Sequence, residues 1–458
     1  MRILLAAAEY APLVSSGGLG DAIAGLARSL VRQGASVTVV IPRYRSVSDT
    51  GRRVAGADNL FRHKVNGVEV LLVDEPDSFD RDGIYGPESG EAYEDNWLRW
   101  TRFGMAVAEI ANEGVYDVVN LHDAHAALAA TRVDAPTVFT IHNAAYPLLG
   151  PLKEINAILG LRPEVILPMG ALEWFGEANF MKAGLIFADQ VTTVSPGFAR
   201  QIADDSEVTG GLDGVIRSLP NPPVGIMNGI DLDAFDPATD ASLPLPFEAG
   251  TWARRRENRR ALADAVGLDA SGVIFGMVGR VTGQKGFDLI GPSLADLVDE
   301  GFRLLVVGNG EQDDLVDGWV AQHPTAVAHR PFDQKLARLT WAGSDAYVMP
   351  SRFEPGGLGN IYAMRYGCPP VVRLTGGLAD TVIDIDEDPE SGNGIGFRLY
   401  EAAEFSKSVR RAMRLIRSHP ELWQEMAARG MESDWSWDRA AGEYLKVYRK
   451  ILAPGPAA

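Results

Sequence analysis

Short apolar runs alternate with longer helical patterns along the first half of the chain. The runs are rich in Val, Ile and Leu with little alternation, which is typical of parallel strands covered on both faces. They predict strands at residues 3–8, 36–41, 68–73, 116–121 and 137–141. Between them, apolar residues at helical spacing predict helices at 21–33 and 96–112. This order predicts an α/β domain built on a doubly wound parallel sheet.

The second half repeats the alternation, with predicted strands at residues 273–278, 304–307, 346–349 and 370–372. Between the halves, residues 235–260 are Pro-rich and then switch to a basic helix start, as at a domain junction. Residues 435–452 predict an amphipathic helix near the end of the chain. We therefore predict two Rossmann-like domains, residues 1–240 and 241–433, followed by this helix.

Length and charge narrow the class of protein. A chain of 458 residues is too long for one ordinary hydrophobic core, which agrees with two domains. A net charge of −18 argues against a nucleic-acid-binding protein, because such a protein needs a basic face to replace counterions. The single cysteine, Cys368, leaves no internal disulfide or CxxC metal site. Glu9 interrupts the first apolar run too early for a signal peptide, and no apolar stretch is long enough to span a membrane, so we expect a cytoplasmic protein.

A glycine pair marks the first turn between a strand and a helix. The sequence GGLGDAI at residues 17–23 has a counterpart in GGLADTV at 376–382, and each follows an apolar run. Free N–H groups and the positive end of the helix dipole favour a phosphate there, and glycine removes the Cβ that would keep an anion away. A plain tight turn is the alternative. The spacing is not the GxGxxG fingerprint, so a dinucleotide is not favoured.

Two cations and one carboxylate follow strands of the second half. Arg280 and Lys285 lie in a Gly-rich loop after a predicted strand, which fits a clamp on a diphosphate. A solvated pair of surface cations is the alternative. Glu354 precedes the Gly-rich helix start at residues 356–359, where it either binds sugar hydroxyls or complements the helix dipole.

Histidines follow two buried strands of the first half. His142 and Asn143 come after one strand, and His122, Asp123 and His125 come after another. The carboxyl ends of strands are where open α/β sheets bind ligands, although a purely structural histidine is an alternative. A metal site at the two histidines of the second motif lacks an evident third ligand. The absence of a GxSxG motif weighs against an α/β hydrolase.

The ordered motifs resemble those of bacterial glycogen and starch synthases along nearly the whole chain. They are SSGGLGD, HDAHAAL, VFTIHNAAY, FMKAGLIFADQVTTVSP, GIMNGIDLDAFDPATD, GRVTGQKGFDL and PSRFEPGGLGNIYAMRYG. The resemblance implies the GT-B fold, with two Rossmann-like domains facing across a cleft and the C-terminal helix, residues 434–458, crossing back to the first domain. It also implies a retaining glucosyltransferase that moves glucose from ADP- or UDP-glucose to the 4-hydroxyl of an α-glucan without a metal.

The resemblance also implies roles for individual residues. Catalysis would rest on His142, Glu354, Arg280 and Lys285. The nucleotide and its phosphates would be bound by Gly17, Gly18, Arg280, Lys285, Phe332, Leu358 and Gly359. The donor sugar would be surrounded by His142, Asn228, Glu354, Gly356 and Gly357. The acceptor side would hold Glu9, Asp21 and Asp123. No cofactor is expected beyond the co-substrate, an ADP-, UDP-, GDP- or dTDP-linked sugar.

Several departures from the family pattern fall on these motifs. Ser15 stands where the family has lysine, Ala124 where it has an acceptor-side tryptophan, and Pro331 where it has glycine. The leading interpretation is a glycogen synthase-like transferase acting on a saccharide. The alternatives are a specialised (pseudo)glycosyltransferase with a small sugar or cyclitol acceptor, a non-catalytic nucleotide-sugar-binding protein, and a sugar-nucleotide epimerase. No nucleic-acid or membrane partner is expected, and the sequence leaves the oligomeric state open.

Overall fold

The computed structural model describes residues 1–48, 51–57, 59–87 and 91–453, which form two compact units. The first unit comprises Met1–Gly229 and Ser436–Ala458, and the second comprises Ile230–Trp435. The sequence-based boundary at residue 240 therefore falls inside the second unit. Residues 230–240 belong there because Asp240 accepts hydrogen bonds from Arg338 and from the Tyr366 hydroxyl of that unit.

The first unit is an α/β domain whose elements alternate as its apolar runs predict. Its strands are β1 (Arg2–Ala6), β2 (Ser36–Pro42), β3 (Arg52–Arg53), β4 (Leu60–Val65), β5 (Val68–Val73), β6 (Val118–His122), β7 (Thr137–Ile141), β8 (Leu149–Pro151), β9 (Glu173–Trp174), β10 (Glu177–Asn179), β11 (Gln190–Thr193) and β12 (Val224–Gly225). Its helices up to the second unit are α1 (Gly18–Arg32), α2 (Pro76–Phe79), α3 (Asn96–Glu113), α4 (Asp123–Ala127), α5 (Leu152–Leu159), α6 (Pro163–Ile166), α7 (Phe180–Phe187), α8 (Pro196–Asp204), α9 (Ser206–Thr209) and α10 (Asp213–Arg217), with a 3-10 turn at Leu128–Thr131.

The main sheet of the first unit has the order β12-β11-β7-β6-β1-β2-β5-β4-β3. The strands from β12 to β5 pair in parallel, whereas β4 pairs antiparallel with β5 and β3 antiparallel with β4. The parallel strands are almost entirely buried, since helices cover both faces. A separate small sheet has the order β8-β10-β9 and is antiparallel.

The second unit carries its own parallel sheet, in the order β15-β14-β13-β16-β17-β18. Its strands are β13 (Val273–Val278), β14 (Phe302–Val307), β15 (Val327–Arg330), β16 (Ala346–Met349), β17 (Pro370–Arg373) and β18 (Ile395–Phe397). Its helices are α11 (Trp252–Val266), α12 (Phe287–Ile290), α13 (Leu294–Asp299), α14 (Asp313–Gln322), α15 (Gln334–Gly343), α16 (Leu358–Arg365), α17 (Leu378–Thr381), α18 (Ala402–Ser418) and α19 (Pro420–Glu432), with 3-10 turns at Gly283–Lys285 and Gly291–Ser293. Separate apolar clusters on the two faces of this sheet form the core.

The last helix, α20 (Trp437–Leu452), packs on the first unit. The Asp438 carboxylate accepts hydrogen bonds from Ser29 and Arg32 of α1. At the other end of the helix, the buried Tyr448 hydroxyl donates to Asn120 of β6 over 2.7 Å. These polar contacts near its two ends fix the position of the helix on the first unit.

Candidate active site

The predicted residues of the first unit follow four of its strands. Glu9 comes after β1, Asp123 after β6, His142 after β7 and the buried Asn228 after β12. The strands β7, β6 and β1 are neighbours in the parallel sheet, so their carboxyl ends meet at one edge. The fold therefore brings the first three side chains into one group, as an open α/β sheet does for a ligand site.

Glu9 connects the end of β1 to the glycine turn. Its carboxylate is 2% exposed and accepts hydrogen bonds from the Ser16 backbone N–H (2.7 Å) and hydroxyl (2.9 Å). The Tyr85 hydroxyl donates to the same carboxylate. Three donors thus fix the carboxylate beside the start of α1. Desolvation, with a smaller contribution from the Glu9 charge, raises the pKa of Asp21 in the first turn of that helix.

Asp123 and His142 are joined through the backbone. The Asp123 Oδ1 atom accepts the His142 N–H at 2.7 Å and the Asn143 N–H at 3.4 Å, and Asp123 itself adopts a positive φ of 58°. The His142 Nε2 atom lies 3.0 Å from His122 Nδ1, so one of these two rings donates to the other. The backbone N–H of His142 and its imidazole ring are thus both hydrogen-bonded, which orients this residue at the end of β7.

Burial raises the pKa of the carboxyl group at this edge of the sheet and lowers the pKa of the histidines beside it. Desolvation raises the pKa of Asp123 to about 7, with a smaller contribution from the Glu9 charge, although the two backbone N–H groups act against it. Desolvation lowers the pKa of His142 to about 4 and that of His125 to about 3, and it holds the pKa of His122 well below its ordinary value. At neutral pH these three histidines are therefore uncharged.

We expect the urea midpoint of unfolding to fall as the pH is lowered from 7 to 5. Each of the three histidines, His122, His125 and His142, stays neutral in the folded protein but gains a proton when unfolded, so stability is lost as pH falls below about 6.5. Asp123 acts in the opposite direction, because its raised pKa means that it loses one proton on unfolding. The net uptake on unfolding is therefore about two protons. Tryptophan fluorescence at pH 7, 6 and 5 measures the midpoint.

The matched variant for this experiment is His125→Phe. The His125 ring packs against Tyr85 at 4.9 Å and Trp100 at 4.6 Å between centroids, so a phenyl ring keeps the aromatic packing and removes one titrating group. Its midpoint should depend less steeply on pH than that of the wild type. A wild-type midpoint that is constant over this range would contradict the assignment of neutral buried histidines.

The glycine turn has space in front of it. Gly17 precedes α1 in extended backbone, and a Cβ added to it would meet nothing within 4 Å. The fold of the protein therefore does not itself require glycine at this position. A ligand that approaches the backbone closely would require it. Ser15, which stands where the family has lysine, is exposed, and its hydroxyl donates to the Gly17 carbonyl oxygen at 2.9 Å. The serine shapes the turn but supplies no charge.

In the second unit, the loop after β13 lies directly against the loop after β14. A Cβ on Gly308 would lie 1.8 Å from the Gly279 carbonyl oxygen, so only glycine permits this contact. The backbone N–H of Val281 also donates to the Asn309 carbonyl oxygen at 3.0 Å. The close contact fixes the segment that carries Arg280, whose side chain is exposed and has no ion-pair partner among the described residues.

Lys285 and Glu354 form an ion pair that the sequence analysis did not anticipate. The Lys285 Nζ atom lies 2.7 Å from Glu354 Oε2, and the two side chains are only 15% and 9% exposed. The Ser351 hydroxyl donates to the same carboxylate oxygen at 3.1 Å. Lys285, the predicted phosphate-binding cation, is therefore paired directly with Glu354, the predicted ligand of the sugar. The pair lies at the ends of β13 and β16, which are neighbours in the sheet.

The remaining predicted residues of the second unit lie at the same edge. Gly357, with φ of +64°, precedes α16, so the helix starts with Leu358 and Gly359, and Leu358 is four residues beyond Glu354 along the chain. Phe332 follows β15, is 60% exposed, and its N–H donates to the Asn309 side chain at 3.0 Å. An exposed ring, a helix start and two cations thus follow strands of one sheet, and such groups are able to bind the base and the phosphates of a nucleoside diphosphate.

Three residues belong to these groups although the sequence analysis did not select them. Tyr85 binds Glu9, Ser351 binds Glu354, and Asn309 holds Phe332. Tyr85 lies in a loop without periodicity, so no sequence signal marks it. Ala124, which stands where the family has an acceptor-side tryptophan, is fully buried.

Among the described residues, no group of three or more His, Cys, Asp and Glu side chains is placed to hold a metal ion. No helix in the described ranges has the length and apolar character needed to cross a bilayer.

Both parts of the chain match known protein families. Residues 2–218 match the family described as starch synthase catalytic domain, and residues 258–429 match glycosyl transferases group 1. The chain is 37% identical to glycogen synthase 1 of Rhizobium meliloti, over 99% of this chain and 100% of that protein. It is 39% identical to the glycogen synthase of Alkalilimnicola ehrlichii, over 98% of each chain.

Solved structures show the same fold. The catalytic domain of starch synthase IV from Arabidopsis thaliana, bound to ADP and acarbose, aligns with a TM-score of 0.85 and 28% identity, over 98% of this chain and 99% of that chain. Sucrose-phosphate synthase from Thermosynechococcus elongatus aligns with a TM-score of 0.64 and 18% identity, over 98% of this chain and 99% of that one, and shows the fold alone. These likenesses do not favour the small-acceptor, non-catalytic or epimerase interpretations. The chain therefore belongs to the glycogen synthase family and is a GT-B, retaining, nucleotide-sugar-dependent glucosyltransferase of the glycogen synthase type.

Proposed function

We propose that the donor is ADP-glucose and that the acceptor is the non-reducing end of an α-1,4-glucan. The full-length likeness to glycogen synthases and to a starch synthase bound to ADP and acarbose supports this choice. In this chain the proposal is supported mainly by Arg280, the Lys285–Glu354 pair and the exposed Phe332. The two basic side chains supply cations for the diphosphate, the carboxylate a ligand for the sugar, and the ring a surface for the base. The lone buried Cys368 is compatible with a reducing compartment, so we propose that the reaction takes place in the cytoplasm.

The proposed reaction breaks the bond between the glucose C1 and the diphosphate and forms a bond from C1 to the acceptor 4-oxygen on the same face. The acceptor's proton passes to the leaving phosphate oxygen, so the products are ADP and a glucan longer by one residue. Arg280 and Lys285 neutralise the charge that develops on the leaving diphosphate, which is the largest expected electrostatic contribution. The N–H groups of Leu358 and Gly359 and the turn at Gly18 bind the same phosphates.

The other proposed roles concern the sugars. Glu354, Asn228, His142 and the backbone of Gly356 and Gly357 surround the donor glucose. His142 faces the reacting carbon through its carbonyl oxygen or its ring, and its neutral state avoids placing a cation beside a centre that becomes positive. On the acceptor side, Asp21 and Asp123 accept hydrogen bonds from glucan hydroxyls, and the buried Glu9 holds the turn at Ser16 in place. Phe332 stacks on the nucleobase.

The test is nucleotide release by the purified protein. It should be assayed with ADP-, UDP-, GDP- and dTDP-glucose, each with and without maltotriose or glycogen. We expect glucan-dependent ADP release together with extension of maltotriose by one glucose unit, measured by mass. Release of nucleotide only with a non-glucan acceptor, or binding without turnover, would refute the proposal.

Gly17→Ala separates ligand binding from folding. The added methyl group projects into open space, so we expect the thermal midpoint to stay unchanged. If the turn binds the donor phosphates, the same methyl group holds the anion away, and the KM for ADP-glucose should rise on the order of tenfold. Gly318→Ala is the matched control, since its Cβ also meets nothing within 4 Å but lies in α14. An unchanged KM in Gly17→Ala would show that the turn does not contact the donor.

A further inference from the structure

Helix α3 of the first unit carries a fully buried arginine, Arg99, at the end of its first turn. Its guanidinium group makes no ion pair within the described part of the chain, and the neighbouring Asp95 pairs with Arg81 instead. Three aromatic rings enclose the guanidinium group, with centroids 4.7–5.4 Å from it, and they belong to Phe79, Tyr93 and Trp100. Desolvation disfavours the charge and lowers the pKa of Arg99 below its ordinary value. Because such a cation is costly to bury, the groups that it binds indicate its role.

The guanidinium group of Arg99 binds the segment that leads into Tyr85. Its Nε atom donates to the Ser78 carbonyl oxygen at 2.6 Å, and its Nη2 atom donates to the Ile84 carbonyl oxygen at 3.1 Å. Its Nη1 atom donates to Asn96 Oδ1 at 2.5 Å, and Asn96 Nδ2 donates in turn to the Tyr85 carbonyl oxygen at 2.9 Å. A guanidinium group only donates and a backbone carbonyl only accepts, so both neighbours fix the orientation of the amide between them.

Tyr85 connects this arrangement to the glycine turn. Its hydroxyl donates to the Glu9 carboxylate, which also accepts the N–H and the hydroxyl of Ser16, directly before Gly17. Desolvation and the Glu9 charge raise the pKa of Tyr85 well above its ordinary value, so the hydroxyl keeps the proton that it donates. A continuous set of hydrogen bonds therefore leads from α3 to the turn at which the donor phosphates are proposed to bind.

We propose that Arg99 and Asn96 are positioning residues that hold the glycine turn in the geometry required by the donor phosphates. They act through Tyr85 and Glu9 and do not themselves touch the donor. This inference rests on the proposed function, because it takes the turn to bind the diphosphate of the nucleotide sugar. A displacement of about 1 Å in such a turn weakens donor binding strongly, since hydrogen bonds to phosphate depend steeply on distance and angle.

The test is Asn96→Asp, because removal of the buried Arg99 would also destabilise the fold. The new carboxylate still accepts from Arg99, but one of its oxygens takes the place of the amide nitrogen, 2.9 Å from the Tyr85 carbonyl oxygen. Two oxygens at that distance repel each other, and this carbonyl then keeps only a 3.2 Å hydrogen bond from the Tyr93 N–H, so the loop should shift. An ion pair with Arg99 and a negative charge in the first turn of α3 offset the lost hydrogen bond, so we expect an unchanged thermal midpoint. The KM for ADP-glucose should rise about fivefold to tenfold in the ADP-release assay.

Two further variants show whether Asn96 acts through Tyr85. Tyr85→Phe removes the hydroxyl and keeps the ring that packs on His125 at 4.9 Å, so its KM should rise by a similar factor. In the double variant Asn96→Asp/Tyr85→Phe we expect no further rise, since both changes interrupt the same path. The matched control is Asn112→Asp, the same substitution in the same helix. Asn112 is exposed, and its amide donates to the Arg132 carbonyl oxygen at 2.8 Å near the other end of α3, so the KM should stay unchanged.

Hydrogen exchange separates this inference from the proposed function, because it requires no substrate. Glu9 protects the Ser16 N–H, so a peptide that covers the turn should exchange faster in Asn96→Asp and in Tyr85→Phe than in the wild type. Unchanged exchange would overturn the inference, and so would faster exchange with an unchanged KM or additive effects on KM in the double variant. If the turn exchanges faster but the wild type transfers glucose from no nucleotide sugar, the role of the pair in holding the turn stands and the proposed function fails.

Discussion

Replacement of Arg280 by alanine should lower kcat/KM with ADP-glucose by on the order of a hundredfold and leave the thermal midpoint unchanged. The side chain is exposed and has no ion-pair partner among the described residues, so its removal costs the folded protein little. Its proposed role is to stabilise charge on the leaving diphosphate, which develops only in the transition state. The loss should therefore appear mainly in kcat, measured by ADP release under saturating donor and acceptor.

Arg256→Ala is the control for general charge effects. Arg256 is also exposed, and it lies on α11 of the same unit, away from the strand ends. The two variants have the same net charge, so a difference between them reports position rather than the overall field of the protein. Equal activity of both variants would remove Arg280 from the proposed site. A fall in the thermal midpoint of Arg280→Ala would show that the side chain has a structural role.

The sequence predicts the central strands well because burial on both faces leaves an unmistakable pattern. The runs at residues 68–73, 137–141, 273–278 and 346–349 have the bounds that the structure shows. Strand β4 (Leu60–Val65) was missed because it lies antiparallel near the edge of its sheet, is partly exposed and carries three charged or polar residues among six. Periodicity reports burial, so a strand that is exposed on one face and short leaves little signal.

The sequence was enough to select individual residues of the candidate site, but not to predict the contacts between them. Arg280, Lys285 and Glu354 stand out because each follows an apolar strand and has a glycine within two residues of it. Their contacts could not be predicted, since Lys285 and Glu354 are 69 residues apart and meet only because β13 and β16 pair. The hydrogen bond from Tyr85 to Glu9 arises the same way, between a loop and a strand end. Side-chain partners across a sheet depend on strand order, which a single sequence does not specify.

Removal of the Lys285 side chain should impair both stability and catalysis, unlike removal of Arg280. Lys285→Ala leaves the Glu354 carboxylate buried without its cation, and loss of one partner of a buried pair costs about 3–5 kcal/mol. The thermal midpoint should therefore fall clearly, and kcat/KM should fall on the order of a hundredfold or more because a phosphate cation is lost as well. Differential scanning calorimetry and the ADP-release assay measure the two effects.

The double variant Lys285→Ala/Glu354→Gln separates the two contributions. A neutral glutamine has no charge to leave unpaired, and it still accepts the hydrogen bond from the Ser351 hydroxyl. We therefore expect the double variant to regain much of the lost thermal midpoint while kcat/KM stays as low as in Lys285→Ala. Activity that returned with stability would mean that Lys285 acts only by holding Glu354 in place. An unchanged midpoint in Lys285→Ala would mean that the pair does not persist in solution. In the expected result, the same ammonium group holds the sugar-binding carboxylate and stabilises the leaving diphosphate, so donor binding and departure of the nucleotide depend on one side chain.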